Sequence, residues 1–267
     1  MNRMVLLLPL LMVSTAFAYG ILTQTIDYKH KDTVLEGYLA VPDGIEGKVP
    51  GVLVVHDWYG LKDPYKEIAN RLARLGYVAL AADIYGKDIR PADSRQASAE
   101  ATKYLSDRNL LRERVIAAFE ELKKQPNVDP DRLGAIGYCF GGTTVLELAR
   151  SGAQVAGVVS FHGGLSTPTP GDAKQIKAKV LALHGADDPL VKPEEVAAFQ
   201  EEMRQGGVDW QFVIYGDAVH SFTQPQAGTD KSKGVAYNEK ADKRSWEAMK
   251  AFFQEIFGAK KTGLAHR

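Results

Sequence analysis

The sequence predicts an α/β fold in which helices cover both faces of a mostly parallel central sheet. Short apolar runs of the type found in buried parallel strands alternate with segments whose apolar residues recur at helical spacing. Polar residues stand where several of these runs end, and a glycine-rich turn connects one run to the helix after it. Since neither a repeat nor a linker divides the chain, and α/β folds commonly reach roughly 250 residues, we expect a single domain.

The elements follow one another in a regular order. Residues 23–30 and 34–41 are expected to form two strands around a Lys31-Asp32 turn, at an antiparallel edge of the sheet. Short apolar runs predict further strands at residues 52–55, 78–82, 133–137, 155–160, 180–183 and 210–215. Helical spacing predicts helices at residues 65–75, 110–123, 142–150, 193–205 and 238–257. Residues 84–109 remain as the longest insert, and no large lid is expected.

The composition and the balance of charge exclude several classes of protein. The 267 residues include 33 basic and 33 acidic side chains, so the formal net charge is zero, and 45% of the residues are hydrophobic. This composition is typical of a globular protein, and without a basic excess a nucleic acid is not expected as a partner. The one cysteine, Cys139, rules out a disulfide within the chain and a zinc site built from several cysteines.

The first 18 residues have the three parts of a secretory signal. Arg3 supplies a positive charge, residues 4–13 form an apolar run, and Ala16-Phe17-Ala18 is a small-x-small cleavage pattern. We expect cleavage after Ala18, a mature domain over residues 19–267 in the periplasm or secreted, and no membrane span after cleavage. A buried N-terminal helix and a retained anchor are the alternatives. An unpaired thiol in an oxidising compartment is a liability, which favours a chemical role for Cys139.

The most specific motif is Gly137-Tyr138-Cys139-Phe140-Gly141-Gly142, which lies between a predicted strand and a predicted helix. G-x-S-x-G nucleophile elbows occur in that context, and here cysteine replaces serine. Glycine at positions 137 and 141 permits a tight turn. The positive end of the helix dipole favours the thiolate, which is the attacking species. The alternative is a glycine-rich turn that buries a small Cys139.

A nucleophile of this kind needs an acid and a histidine, which follow it in that chain order. Four of the six histidines fall at the ends of predicted strands or in the loop after the last one, and these are His56, His162, His184 and His220. Only His220 among them follows the best acid candidates, Asp187 and Asp188. We predict His220 as the base and Asp188 as the acid, with Asp187 as the rival acid or as a cap of the turn. Asp83 breaks the order and is interpreted as a structural carboxylate.

An acyl-transfer site also needs donors for a developing oxyanion. The backbone N–H of Phe140, which follows the nucleophile, is the first predicted donor. The second is expected from the loop His56-Asp57-Trp58-Tyr59-Gly60, which follows the strand at residues 52–55, and we predict the Trp58 N–H. Packing of the Trp58 and Tyr59 rings over the mouth of the site is the alternative role.

Taken in order, these motifs resemble the dienelactone hydrolase family. The resemblance rests on the cysteine elbow, the 56–60 loop, Gly185-x-x-Asp188 and His220-Ser221-Phe222, and it covers about residues 34–257. It implies an α/β-hydrolase fold and a triad of Cys139, His220 and Asp188 that hydrolyses an ester or lactone through a thioester. In the family, an acidic residue of the oxyanion loop keeps the cysteine neutral until substrate displaces it. That position corresponds to Asp57, one methylene shorter than the usual glutamate.

The resemblance implies the catalytic residues but not the family's named substrate. Enzymes of the family that take dienelactone bind its carboxylate with an arginine four residues beyond the histidine, and this chain has Gln224 there. A neutral amide cannot replace a bidentate guanidinium. Arg90 and Arg95 lie in a segment that could supply another arginine. We therefore expect a small-molecule ester or lactone as substrate, no cofactor, no metal, and a monomer.

The sequence argues against three other functions. A metallohydrolase would use the four histidines at the strand ends, but the sequence has no HExxH or similar ligand spacing. A nicotinamide enzyme would need G-x-G-x-x-G after a strand, and that pattern does not occur. A secreted, non-catalytic binding protein would keep the fold, with Cys139 and His220 too far apart for a hydrogen bond.

Overall fold

An eight-stranded sheet forms the centre of the computed structural model, which describes residues 20–258. The strands are β1 Ile21–His30, β2 Thr33–Pro42, β3 Val49–Val55, β4 Val78–Ala82, β5 Val128–Tyr138, β6 Gly157–Phe161, β7 Lys179–Gly185 and β8 Trp210–Tyr215. Their order in space is β1-β2-β4-β3-β5-β6-β7-β8. β2 pairs antiparallel with β1 and β4, and the other neighbours are parallel. The predicted mostly parallel sheet and its antiparallel edge are confirmed.

Helices cover the two faces of the sheet unequally. α1 Asp63–Arg74 and α6 Glu239–Phe257 pack into one core cluster. The other face carries α2 Ser94–Ser106, α3 Arg108–Lys123, α4 Phe140–Arg150 and α5 Pro193–Gly206. Each predicted strand and helix is present, with bounds that differ by a few residues. The chain therefore forms one α/β domain over the described residues.

The continuous apolar run of β3 follows from burial on both faces. Val52 and Val54 belong to the cluster under α1 and α6, whereas Leu53 and Val55 belong to the cluster on the other face. All four side chains are 0% exposed. Because successive strand residues point to opposite faces, a strand covered on both sides has no polar position. Burial of each such side chain stabilises the fold by about 1.5–3 kcal/mol.

Residues 84–109, the longest insert, contain a helix that the sequence pattern did not predict. Helix α2 occupies much of this segment, and the Asp93 side chain caps it by accepting the Gln96 N–H. The buried residues of α2 are two alanines, a glutamate and a tyrosine. This stripe lacks the large aliphatic residues that mark an amphipathic helix, which is why the pattern did not indicate one.

A buried ion network holds the C-terminal end of α4. Arg150, which is 1% exposed, donates to both carboxylate oxygens of Glu202 at 2.8 and 2.7 Å and to Glu147 at 3.0 Å. Its guanidinium also donates to the Leu165 carbonyl at 2.8 Å. Because Arg150 and Glu202 lie on α4 and α5, the network fixes one helix against the other. It thereby fixes the helix that begins directly after Cys139.

No helix within residues 20–258 is long and apolar enough to cross a bilayer. The predicted secretory signal and its cleavage after Ala18 lie outside the described residues. The predicted domain boundary at residue 19 lies outside them as well.

Candidate active site

The turn between β5 and α4 holds Cys139 in a conformation that few residues adopt. Its φ is 54° and its ψ is −113°, and such backbone strain typically costs about 1–3 kcal/mol. The Cys139 N–H donates to the Phe161 carbonyl at the end of β6, and its own carbonyl accepts the Thr143 N–H in the first turn of α4. The thiol thus stands between the carboxyl ends of the strands and the N-terminus of a helix, which is the geometry of a nucleophile elbow.

Glycines of the elbow are required for space. A Cβ on Gly137 would lie 2.0 Å from the Gly141 carbonyl oxygen, inside the turn itself. A Cβ on Gly141 would lie 2.3 Å from the Val55 oxygen and 2.6 Å from the His56 oxygen. The elbow therefore packs backbone against backbone on the carboxyl end of β3, where the predicted oxyanion loop begins.

His220 lies in the loop after β8, and neighbouring backbone fixes it on both sides. Its N–H donates to the Gly234 carbonyl at 3.2 Å, and its carbonyl accepts the Ala236 N–H at 3.1 Å. The Nε2 atom lies 3.1 Å from the Cys139 sulfur, and the residue is 5% exposed. The loop therefore presents the ring to the thiol at hydrogen-bonding distance.

The other ring nitrogen of His220 contacts Asp188, which follows β7. Nδ1 lies 2.9 Å from Asp188 Oδ2, and Oδ1 accepts the Leu190 N–H at 2.9 Å. Asp188 is 7% exposed, whereas the rival acid Asp187 is exposed to solvent. Of the two acids considered, Asp188 therefore contacts the histidine.

Charges around His220 favour its protonated form. Burial lowers the pKa of this imidazole, but the charge of Cys139 and the hydrogen bonds that the ring donates to Asp188 and Cys139 outweigh it and raise the pKa to about 10. The Asp188 carboxylate accepts a hydrogen bond from Nδ1–H, and Nε2 faces the sulfur. The arrangement can hold a thiolate beside an imidazolium.

His56 is fully buried, and its hydrogen bonds fix the loop that follows β3. Its Nε2 accepts the Ile84 N–H at 3.2 Å, so Nδ1 carries the proton that is donated to the Asp57 carbonyl at 2.6 Å. Burial lowers the pKa of this ring, which stays neutral. The ring also stacks on Phe140 at 5.9 Å between centroids. His56 thus connects the loop after β3 to the elbow and to the end of β4.

Two amides of this loop are bonded within its own turn. The Tyr59 N–H donates to Asp57 Oδ1 at 2.8 Å, and the Gly60 N–H donates to the Asp57 carbonyl at 3.2 Å. Those two amides are occupied, which leaves the Trp58 N–H as our predicted donor to an oxyanion. The Phe140 N–H belongs to the first turn of α4, where helix amides have no partner within the helix.

Gln224 links Asp57 to Tyr65, a residue that the sequence analysis did not single out. The Gln224 side-chain amide donates to Asp57 Oδ2 at 3.1 Å and to the Tyr65 hydroxyl oxygen at 3.0 Å. Tyr65 is 3% exposed in the first turn of α1. In the sequence, Tyr65 lies among the apolar residues of a predicted amphipathic helix. Nothing in that segment indicates that its hydroxyl makes a polar contact in the site.

Two further histidines at strand ends take part in packing. His162 Nε2 lies 2.8 Å from the Thr223 hydroxyl, and its ring packs edge-on against His220 at 5.3 Å. Burial lowers the pKa of His162 well below its usual value, and burial also lowers that of His184. Within residues 20–258, no group of three or more histidine, cysteine or acidic side chains is arranged to hold a metal ion.

The arginines considered for carboxylate binding are either engaged by other groups or exposed. Arg90 donates to the carbonyls of Gly86 and Ile89 at 2.9 Å each, and it lies 3.5 Å from Asp83. Asp83 is fully buried and accepts backbone N–H groups of its own turn, in keeping with a structural carboxylate. Arg95 is exposed in the first turn of α2.

Comparisons with known proteins identify the family of this chain. The model of the dienelactone hydrolase family matches residues 35–257. A Caenorhabditis elegans protein, "Uncharacterized protein K02A2.1", is 41% identical over 156 residues, which are 57% of this chain and 98% of that protein. A Bradyrhizobium protein named "Probable 2-oxo-3-(5-oxofuran-2-ylidene)propanoate lactonase" is 33% identical over 195 residues, 69% of this chain and 77% of that protein. Among solved structures, a dienelactone hydrolase-like promiscuous phosphotriesterase from metagenomic libraries is 44% identical, with a TM-score of 0.84 over 89% of this chain and 99% of that chain.

Proposed function

This chain belongs to the dienelactone hydrolase family and is a hydrolase, and we propose that it cleaves small carboxylic esters or lactones through a thioester on Cys139. The observation that carries this proposal is the double contact of His220, with Nε2 3.1 Å from the Cys139 sulfur and Nδ1 2.9 Å from Asp188. A protein that only bound a ligand would not need one imidazole to join a thiol to a buried carboxylate. The alternative of a non-catalytic binding protein is therefore disfavoured.

In the first half of the reaction, the Cys139 thiolate attacks the carbonyl carbon while the imidazolium of His220 holds the former thiol proton. The N–H groups of Phe140 and Trp58 donate to the oxyanion as charge develops on it. The tetrahedral intermediate then collapses, and the bond to the alkoxide breaks. The alkoxide takes the proton from His220 Nε2, which leaves a thioester and a neutral imidazole.

The second half of the reaction uses the change in charge that acylation causes. In the thioester the sulfur no longer carries the negative charge that raises the pKa of His220. The imidazole therefore becomes a neutral base, and it takes a proton from the attacking water. The carbon–sulfur bond breaks, the acid leaves, and the Cys139 thiolate pairs again with the protonated His220. Asp188 keeps the ring in the required tautomer throughout.

The residues around the thiol favour neutral, activated substrates. A thiolate leaves more readily than an amine unless the amine is protonated, so activated esters, enol esters and strained lactones are better substrates than amides. Gln224 stands where the resemblance would require an arginine, and the guanidinium of Arg90 is engaged by backbone carbonyls. The proposed substrate class is therefore small esters or lactones that need no carboxylate for recognition.

Hydrolysis of p-nitrophenyl acetate and of a dienelactone by residues 19–267, beside Cys139→Ala, tests the proposal. We expect the wild type to hydrolyse the simple ester and the variant to be inactive. Slow turnover of dienelactone beside rapid turnover of the simple ester would assign the loss of carboxylate recognition to Gln224. Equal rates in wild type and variant would overturn the assignment of Cys139.

A second candidate activity is hydrolysis of phosphotriesters, which we propose from the solved relative that is named for this reaction and shares 44% identity. The same thiolate would attack phosphorus and expel the aryloxide, which takes the proton from His220; water activated by His220 would then cleave the P–S bond and release the phosphodiester. Turnover of paraoxon, measured beside Cys139→Ala, tests it. A rate equal to that of the variant would exclude it.

We further propose that residues 1–18 direct export and that the enzyme acts outside the cytoplasm. Arg3, the apolar run at residues 4–13 and Ala16-Phe17-Ala18 support this proposal. N-terminal sequencing of the protein from the periplasmic fraction tests it. A protein that begins at Met1 in the cytoplasmic fraction would contradict it.

A further inference from the structure

A concavity of about 250 Å³ lies where the end of β8 faces the start of α6, and none of its lining residues belongs to the candidate active site. Residues 215–217 form one wall, and Asn238, Lys240, Ala241 and Arg244 form the other. The Asn238 side-chain amide joins the two walls by donating to the Asp217 carbonyl at 2.8 Å. The concavity is therefore built from two segments that are fixed against each other.

Tyr215 contributes to the first wall and carries a buried hydroxyl. The residue is 8% exposed, and its hydroxyl makes no hydrogen bond to any group in residues 20–258. Burial raises the pKa of this hydroxyl to about 12, although the nearby charge of Arg244 opposes the rise. The phenol therefore keeps its proton at neutral pH. Because buried polar groups are nearly always hydrogen-bonded, this hydroxyl is suited to donate to a bound ligand.

Positive charge exceeds negative charge around this hydroxyl. Lys240 and Arg244 are exposed on α6, and neither forms a salt bridge with a residue that the structure describes. The acidic residue of the lining is Asp217, which is paired with Lys231. The charge of Lys240 also acts on Asp217, from a greater distance. Since Asp217 already has a partner, Lys240 and Arg244 remain available to an anion.

The N-terminus of α6 adds to the positive field. This helix has 19 residues, and Asn238 caps it by accepting the Ala241 N–H at 3.1 Å. The first amides of a helix have no partner within the helix, and the helix dipole is positive at that end. The acidic residues of the first turn, Glu239 and Asp242, do not line the concavity, and Glu239 is paired with Lys243. Helix N-termini of this kind bind phosphate and sulfate.

We propose that this concavity, the β8–α6 site, binds a phosphate group, either free or as the monoester of a small molecule. The Tyr215 hydroxyl and the first amides of α6 supply hydrogen-bond donors, and Lys240 and Arg244 supply charge. A tetrahedral oxyanion directs its oxygens to both walls at once, whereas a planar carboxylate offers two oxygens in one plane. The site is separate from the proposed hydrolysis and does not depend on the role of Cys139.

Titration of inorganic phosphate into the full folded chain at about pH 7.5 and constant ionic strength, followed by the NMR signals of the backbone amides, tests the proposal. We expect saturable shifts at Glu239 and Lys240 with a Kd of about 1 mM. Tyr215→Phe removes only the hydroxyl and keeps the ring that packs against Phe222 at 5.5 Å, so this variant should fold. Its Kd should rise about tenfold, and so should that of Arg244→Gln.

Two matched controls remove the same chemical groups away from the β8–α6 site. Tyr77→Phe removes a hydroxyl from a ring that packs against Phe253. Lys250→Gln removes a charge from a later turn of α6, where the lysine is paired with Glu247 at 2.8 Å. Both variants should bind phosphate with the Kd of the wild type. An unchanged Kd in Tyr215→Phe would overturn the proposal, because the buried hydroxyl is the observation on which it depends.

Glucose 6-phosphate and acetate test the kind of anion. A lower Kd for glucose 6-phosphate than for inorganic phosphate would support a phosphomonoester as the ligand, and a higher Kd would support free phosphate. Acetate should bind at least about tenfold more weakly than phosphate, since it offers fewer oxygens to the donors. Equal affinities for acetate and phosphate would overturn the proposal. Shifts that do not saturate below about 50 mM phosphate would overturn it too.

Alkylation of Cys139 by iodoacetamide separates the β8–α6 site from the candidate active site, where an oxyanion could also bind. The added group occupies the space beside His220 and leaves Tyr215 and Arg244 unchanged. The alkylated protein should therefore bind phosphate with the Kd of the untreated protein. A loss of binding on alkylation would assign the phosphate to the thiol and overturn the proposal.

Discussion

Substitution of Gly141 by alanine tests whether the elbow depends on direct contact with the end of β3. The added Cβ would lie 2.3 Å from the Val55 oxygen and 2.6 Å from the His56 oxygen. An ordinary contact at these atoms begins at 3.4 Å, so α4 and the end of β3 must separate by about 1 Å, and overpacking of this kind costs about 1–3 kcal/mol. For a domain of this size, the melting temperature should fall by about 2–12 °C.

The same displacement should reduce activity by more than the loss of stability explains. Gly141 lies two residues from Cys139, and His56 begins the loop that carries the predicted Trp58 donor. A misplacement of about 1 Å between catalytic groups can cost on the order of 100-fold in rate. We therefore expect kcat/KM for p-nitrophenyl acetate to fall about 100-fold at a temperature where the variant is fully folded.

Gly171→Ala is the matched control for this prediction. A Cβ at Gly171 would meet no atom within 4 Å, so both the melting temperature and kcat/KM should stay near those of the wild type. Thermal unfolding by circular dichroism and steady-state kinetics provide the two measurements. If Gly141→Ala behaves as Gly171→Ala does in both, the argument that backbone contact positions the elbow is refuted.

Three further predictions concern charge. Asp188→Asn should lower kcat/KM for p-nitrophenyl acetate by about 10³–10⁴, because an amide neither stabilises the imidazolium nor fixes its tautomer; a loss under tenfold in steady-state kinetics would contradict this. The His220 ring, followed by NMR, should stay protonated until about pH 10, and in Cys139→Ala it should lose its proton at a lower pH, because the thiolate charge that raises its pKa is gone while burial still lowers it. An unchanged midpoint would exclude the thiolate as the cause. Arg150→Ala should destabilise the fold by about 3–5 kcal/mol in urea unfolding, because it leaves buried carboxylates unpaired, whereas Arg204→Ala, at an exposed pair, should cost about 1 kcal/mol or less. Equal effects would refute the role of the buried network.

Much of the fold could be predicted because each strand and most helices carry their own local pattern. The run at Val52–Val55 is buried on both faces and therefore contains no polar residue, and the strand at Val78–Ala82 is found with the bounds that were predicted. Helix α2 was missed since its buried residues are small or polar, so its position depends on what packs against it.

In the candidate site too, residues with a local sequence pattern could be predicted, and residues without one could not. Chain order and the elbow motif led to the prediction of Cys139 and His220 and narrowed the acid to Asp187 or Asp188, because a strand followed by a glycine-rich turn and a helix constrains the nucleophile locally. The choice between Asp188 and Asp187 needed the structure. These are adjacent residues, and only their orientation decides which one faces His220.

By itself, the sequence determined the class of fold and the order of its elements, and it was enough to predict the residues for thiol chemistry, because these depend on short-range pattern. Only the tertiary structure decided the environment of the thiol. Gln224 and Asp57 are 167 residues apart in the chain, and no local pattern relates them. They meet because parallel strands bring their following loops to one edge of the sheet, where burial strengthens the interactions among the charges gathered there.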